Sequence, residues 1–208
     1  MFSLQTIFGK GDLFYGLLEA AAEAAVQSAD ALQRLVKDHG AEATLTDFKL
    51  AREREKEVSE KISQALVDIF ITPLEREDIE ALGNAIYRIP KTIEKFADRY
   101  ALATQHLAHI DFAPRAAMLE QAASVVVEMV HEIKKMNIDR MTSLNEKLRA
   151  IENEADRLML ELYRDIYSGR LDHLQMFLLK EFFEILEKAI DRCREAGVVA
   201  YQIVIKNS

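Results

Sequence analysis

Phe70-Ile71-Thr72-Pro73-Leu74-Glu75-Arg76-Glu77-Asp78-Ile79 is the stretch on which the reading of this chain turns. Before it, Val58, Ile62, Leu66 and Ile69 recur every three or four residues, the spacing of one buried helix face. After it, Ile79, Leu82, Ile86 and Ile93 do the same. Between the two runs, threonine can cap a helix, proline suits the first helical position, and Glu75 stands three residues after the cap. The pattern predicts a capping box and a sharp turn between two helices.

Working outward, six helices are expected. The first runs from about Asp12 to Asp38 and stops at Gly40, and the second runs from Thr44 or Thr46 to about Phe70. The third begins at Thr72 and continues to about Ile110 with Pro90 inside it, where a missing N–H predicts a kink. Pro114 opens the fourth, which ends near Met136. The fifth runs from Thr142 to Tyr167 and the sixth from Leu171 to Ile205. The β-branched end of the sixth, from Val198 to Ile205, could be read as a strand, but a lone strand has no partner, so a packed helix end is preferred.

The turn and its flanks occur twice. A shift of 100 residues sets Val58 on Leu158, Ile62 on Leu162, Leu66 on Ile166 and Leu74 on Leu174. It also sets Ile79 on Leu179, Leu82 on Phe182, Ile86 on Leu186 and Ile93 on Cys193, while Ala25 and Val26 meet Val125 and Val126. Any amphipathic helix can be slid onto another, but agreement through two consecutive helices and their turn is harder to obtain by chance. The expectation is an all-α bundle forming one unit over residues 1–208. Its first repeat of three helices spans about 12–110 and its second about 113–206.

Composition fits that class. The 208 residues are half hydrophobic, with seven Gly, three Pro and no Trp. A net charge of −8 argues against nucleic acid, whose phosphates would be repelled. The single cysteine, Cys193, excludes an internal disulfide and a cysteine-based zinc site. No apolar run approaches the length of a membrane span, and residues 1–14 lack the pattern of a signal peptide. A cytoplasmic protein that meets a membrane only through a partner is expected.

Chemistry could sit in the second half. Glu152 and Asp156 stand four apart, as do Glu187 and Asp191, so each pair shares a helix face. On antiparallel helices the four carboxylates could converge near the surface and hold a hard cation. The same acids also fit an ordinary solvated face. The corresponding positions of the first half are Arg52, Lys56, Tyr87 and Lys91. Three cations and a phenol cannot hold a metal; they could bind an anion such as phosphate, or pair with nearby Glu53, Glu55, Glu57 and Glu60. Glu128 and His131 form a lone Glu-x-x-His on the polar side of their helix, where a core cofactor is out of reach. His39, His106, His109 and His173 fall near helix ends, and Gly9-Lys10-Gly11 lacks the strand and remaining motif of a phosphate loop. Nothing in the chain argues for an enzyme.

The run at 70–79 resembles the Phe-Ile-Thr-Pro-x-x-Arg-Glu-Asp-Ile signature of the PhoU-like family often called Pit accessory proteins. Ile151-Glu152-Asn153-Glu154-Ala155-Asp156 and Leu186-Glu187-Lys188-Ala189-Ile190-Asp191-Arg192-Cys193 resemble its second and third signatures. Phe14-Tyr15-Gly16-Leu17-Leu18 fits its N-terminal start, so the resemblance spans nearly the whole chain. It implies two three-helix repeats, a cytoplasmic location, and association with a low-affinity phosphate transporter or a phosphate-signalling protein. It also implies iron or zinc clusters held by Glu/Asp-x-x-x-Asp motifs, one per repeat. Carried over by position, the ligands of the second site are Glu152, Asp156, Glu187 and Asp191, whereas the first site departs from the pattern. The alternative is a metal-free helical adaptor that forms a homo-oligomer through an apolar helix face.

Overall fold

The structure, a computed structural model, describes the backbone of residues 4–37 and 42–208, and the side chains of 12–37, 46 and 48–208. Six helices are present: α1 (Leu4–Lys37), α2 (Glu42–Asp68), α3 (Arg76–Leu107), α4 (Ala113–Ile133), α5 (Ile138–Ile166) and α6 (His173–Asn207). Among the described residues there is no strand. The β-branched end of α6 is helical, with Ile203 and Val204 buried. The expected stop of α1 at Gly40 lies outside the described residues, as does His39. At its other end α1 extends back to Leu4, so Gly9-Lys10-Gly11 lies within a helix and is no loop.

Packing follows the expected triplets. α1, α2 and α3 all touch one another, and so do α4, α5 and α6. The triplets meet through α1 against α4 and α3 against α6, while α2 and α5 each touch only their own triplet. Exchanging the two triplets leaves this pattern unchanged. Positions related by 100 residues also share burial: Leu82 with Phe182, Ile86 with Leu186, Ile93 with Cys193 and Ala25 with Val125 are all at most 2% exposed. Leu74 and Leu174 differ most, the first buried and the second half-exposed, and Ile62, Ile79, Val126 and Ile166 are buried where Leu162, Leu179, Val26 and Leu66 are only half-buried.

An aromatic cluster fills the joint between triplets. Phe96 of α3 meets Phe112, just ahead of α4, at 5.3 Å between ring centroids, and Phe182 of α6 at 5.2 Å, both edge to face. Pro90 sits inside α3 and is buried, and the helix runs through it.

The turn at 70–79 corrects one expectation. α3 starts at Arg76, four residues later than expected, with Glu75 as its cap residue and no side-chain cap. The Thr72 hydroxyl instead donates to the Leu74 carbonyl at 2.7 Å, so Thr72 and Pro73 shape the connection ahead of the helix. A capping box does form one hundred residues on. Asp172 accepts from the Gln175 N–H at 2.9 Å, and the Gln175 side chain accepts from the Asp172 N–H at 3.2 Å. α5, by contrast, begins earlier than expected, capped by Asn137 on the Arg140 N–H.

Candidate functional site

The antiparallel neighbours α5 and α6 carry both acidic pairs. Three of the four carboxylates converge: one oxygen each of Asp156, Glu187 and Asp191 lie within 4.8 Å of one another. Asp156 is exposed, and Glu187 and Asp191 are half-buried, so the trio opens to the surface. Glu152, one turn before Asp156, stands beside the trio and faces Arg194, whose Nε lies 3.7 Å from Oε2. Lys188 pairs with Asp191 at 2.8 Å. The geometry follows from the sequence spacing, since residues four apart stack on one helix face.

Electrostatic strain collects on Glu187. Burial, and then the charges of Asp191 and Asp156, push its pKa up to about 7. Glu152 is shifted the same way by burial and Asp156, against the pull of Arg194. One turn toward the start of α6, Glu184 accepts a hydrogen bond from the Tyr163 hydroxyl, which raises the tyrosine pKa to about 12. Three carboxylate oxygens this close, one of them resisting ionisation, suit a hard cation such as ferric iron or manganese, and also zinc, which is softer but takes carboxylate oxygens. Asp156, Glu187 and Asp191 could hold it. Beside the trio an open groove of about 740 Å³ runs over α6, lined by Lys95 and Arg99 of α3, Tyr163 of α5, and Phe177, Glu187 and Arg192 of α6.

The corresponding place in the first triplet is built differently. Arg52 is buried, and each of its three guanidinium nitrogens donates a hydrogen bond. Nε donates to Glu94 at 2.8 Å, Nη1 donates to Glu55, and Nη2 donates to the Tyr87 hydroxyl at 2.9 Å. Burial alone would lower the arginine pKa, but the hydrogen bonds to Glu94 and Tyr87 outweigh it and the net shift is upward. The Lys91 ammonium lies 5.8 Å from the centre of the Tyr87 ring, and Lys56 is exposed. Of the acids expected to pair with Arg52, only Glu55 does so. Glu94, from the next helix, was missed because an interhelical partner 42 residues away leaves no local signal.

The lesser candidates have other surroundings. Glu128 pairs with Arg140 at 2.6 Å and Lys147 at 3.5 Å. Cys193 is fully buried, and burial pushes its thiol pKa up, away from reactivity.

No family model matches the chain. Among curated proteins, the UPF0111 protein YkaA of Bacillus subtilis (strain 168) is 25% identical over 142 residues, or 67% of this chain and 68% of that protein. Among solved structures, a PhoU-like protein from Shewanella oneidensis MR-1 matches with a TM-score of 0.80 at 16% identity, covering 92% of this chain and 99% of its own. A protein of the same organism described as a PhoU-like phosphate regulatory protein matches at 0.77 and 17% identity, covering 93% and 99%. Six helices in this order and packing are the fold of the PhoU-like proteins, and this chain has that fold.

Proposed function

We propose that this chain is an accessory or regulatory protein of inorganic phosphate transport, working by contact with a low-affinity phosphate transporter or a phosphate-signalling protein and catalysing nothing itself. The observation that carries the reading is the likeness in fold, over nearly the whole chain, to a protein described as a phosphate regulator. The run at 70–79 and the two acidic signatures support it from the side of the sequence. Among the described residues no helix is long and apolar enough to cross a membrane, which fits a cytoplasmic protein reaching the transporter through its surface.

In this reading Asp156, Glu187 and Asp191 take one cation, iron or zinc in the first instance, and draw α5 to α6. A bound cation supplies the positive charge that offsets the burial, and the repulsion from Asp191 and Asp156, by which Glu187 is raised. Glu152 stays beside Arg194 as a flanking acid. The reading is tested by recovering the tagged protein from membranes of phosphate-starved and phosphate-replete cells, with elemental analysis of the product. Retention of a phosphate transporter or phosphate-signalling protein, with phosphate uptake altered when the chain is deleted, is expected. Unaltered uptake and an empty membrane fraction would reject it.

A metal-free adaptor is the second reading. It is favoured by the α2–α3 junction, which Arg52 holds together without any added ion.

A further inference from the structure

The junction between α2 and α3 already contains a cation, and the cation is part of the chain. The Arg52 side chain is 6% exposed and the Glu55 side chain only 2%. The guanidinium donates to Glu55, Glu94 and Tyr87, and its central carbon lies 4.8 Å from the centre of the Tyr87 ring. Each of its three nitrogens donates, two to carboxylates and one to a phenol oxygen, and the ring of that same tyrosine lies beside the group. Without it, Glu55 would be a buried carboxylate with no partner among the described residues, an arrangement proteins avoid.

The relation to the other triplet is specific. Arg52 and Glu94 bridge α2 to α3 at 2.8 Å, and one hundred residues on Glu152 and Arg194 bridge α5 to α6 at 3.7 Å with the charges exchanged. The exchange moves the positive charge. In the first triplet it reaches across to position 87, a tyrosine that accepts from it. In the second, position 187 is an acid, and Arg194 stays to one side with Glu152.

We infer that Arg52 is a tethered cation, filling a guanidinium site made by Glu55, Glu94 and Tyr87, so that the α2–α3 junction is closed whatever ions are dissolved around it. The α5–α6 junction is bridged by Arg194 and Glu152 but keeps the acidic trio of Asp156, Glu187 and Asp191, where the function proposed above places a cation from solution. This second half rests on the function proposed above; the first stands on the surroundings of Arg52.

The test is hydrogen–deuterium exchange and thermal melting of the full chain and of Arg52→Ala, with methylguanidinium and Mn²⁺ as probes at concentrations on the order of millimolar. R52A should melt about 10 °C lower and exchange faster along α2 and α3, because one partner of a buried ion pair has been removed. Methylguanidinium should restore part of both losses in R52A. It should do nothing to the unaltered protein, whose site is filled, or to R52A/E94Q, whose site has lost an acid. A missing response in R52A, or an equal response in the unaltered chain, would overturn the inference. Should R52A fail to fold, Arg52→Met with Glu55→Gln and Glu94→Gln decides. With no acid left stranded, folding should return, and its failure would mean that Arg52 acts through packing. Mn²⁺ should slow exchange along α5 and α6 alone, in the unaltered protein and in R52A alike; slowing along α2 and α3 of the unaltered protein would contradict the closed junction. Absence of any Mn²⁺ response would sink the second half together with the function it rests on, and would leave the methylguanidinium result to judge Arg52.

Discussion

Gly197 brings the backbone of α6 so close to Leu148 of α5 that a β-carbon at 197 would overlap Leu148 Cδ2, and it would also stand 3.2 Å from Met129 Sδ of α4. Leu148 and Met129 are fully buried, so neither has open space into which to turn. All three helices of the second triplet therefore meet at one missing side chain. The equivalent position of the first triplet is Ala97, 2% exposed, so that triplet tolerates a methyl group there. For Gly197→Ala, the better helix propensity of alanine contributes about 1 kcal/mol, while overpacking a filled core costs about 1–3 kcal/mol. A net loss of about 1 kcal/mol is expected, measured as a lower urea midpoint at unchanged slope. A raised midpoint would mean that the contact relaxes freely.

The two helix starts related by 100 residues should respond differently to loss of a cap. Asp172→Ala removes the side-chain half of a formed capping box at α6 and should cost about 1 kcal/mol. Thr72→Ala removes only a hydroxyl bond to the Leu74 carbonyl, ahead of a helix it does not cap, and should cost about half as much or less. Thermal melts of the two variants side by side check the order. Equal losses would place Thr72 at a working cap after all.

That contrast also marks how far the fold was legible. Helix number, the buried faces of Leu82, Ile86, Phe182 and Leu186, and the pairing of halves follow from periodicity, because amphipathic faces must be buried and their spacing is fixed by the helix. Where α3 begins does not follow. A cap depends on which of two competing bonds a threonine hydroxyl makes, and Thr72 chose a carbonyl in its own turn. For the acids, spacing four apart put Asp156, Glu187 and Asp191 on facing surfaces, where they meet. Spacing could not say that Glu152 would face Arg194, nor that Glu94 would reach Arg52, because those contacts depend on how two helices pack side by side.

Glu187 should make stability depend on pH in a direction opposite to the usual salt-bridged carboxylate. Its folded pKa of about 7 lies above the ordinary 4.5, raised by burial first and then by Asp191 and Asp156. Between these values the folded chain binds more protons than the unfolded one, so the contribution is fully present below pH 4.5 and is lost as pH rises through 7. In the presence of a chelator, Glu187→Gln should therefore melt higher than the unaltered chain at pH 8 and flatten the decline between pH 5 and 7, with the gap closing toward about pH 4.5. A profile identical in the two proteins would mean that neither burial nor the neighbouring carboxylates raise Glu187.

Cation binding at the trio is tested by linkage. A cation bound by the folded state alone adds about 2.7 kcal/mol when its free concentration is a hundred times the dissociation constant. For a chain of this length that corresponds to a rise in Tm of roughly 5–10 °C. The rise should vanish with a chelator and be absent from Asp156→Ala combined with Asp191→Ala. It should also weaken below pH 7, where protons compete for Glu187. Iron, zinc and manganese titrated separately will rank the preference. If the double variant responds to metal as the unaltered chain does, the cation binds elsewhere.

Partner contact is expected to use the connection between α2 and α3. Phe70 is 95% exposed and Ile71 58%, adjacent apolar side chains presented to solvent within the run that carries the family resemblance. Scattered apolar residues on a surface are ordinary, but a phenylalanine this exposed gains nothing from the fold it belongs to. Replacing it should therefore leave stability unchanged within about 0.5 kcal/mol. Phe70→Ser with Ile71→Ser should melt with the unaltered chain yet lose most of its retention on membranes, because a buried aromatic anchor commonly carries a large share of binding energy. Co-sedimentation with membranes measures the loss and a melting curve controls for folding. Undiminished retention of the double variant would move the contact to another face, and the groove over α6 beside Phe177 would be next in line.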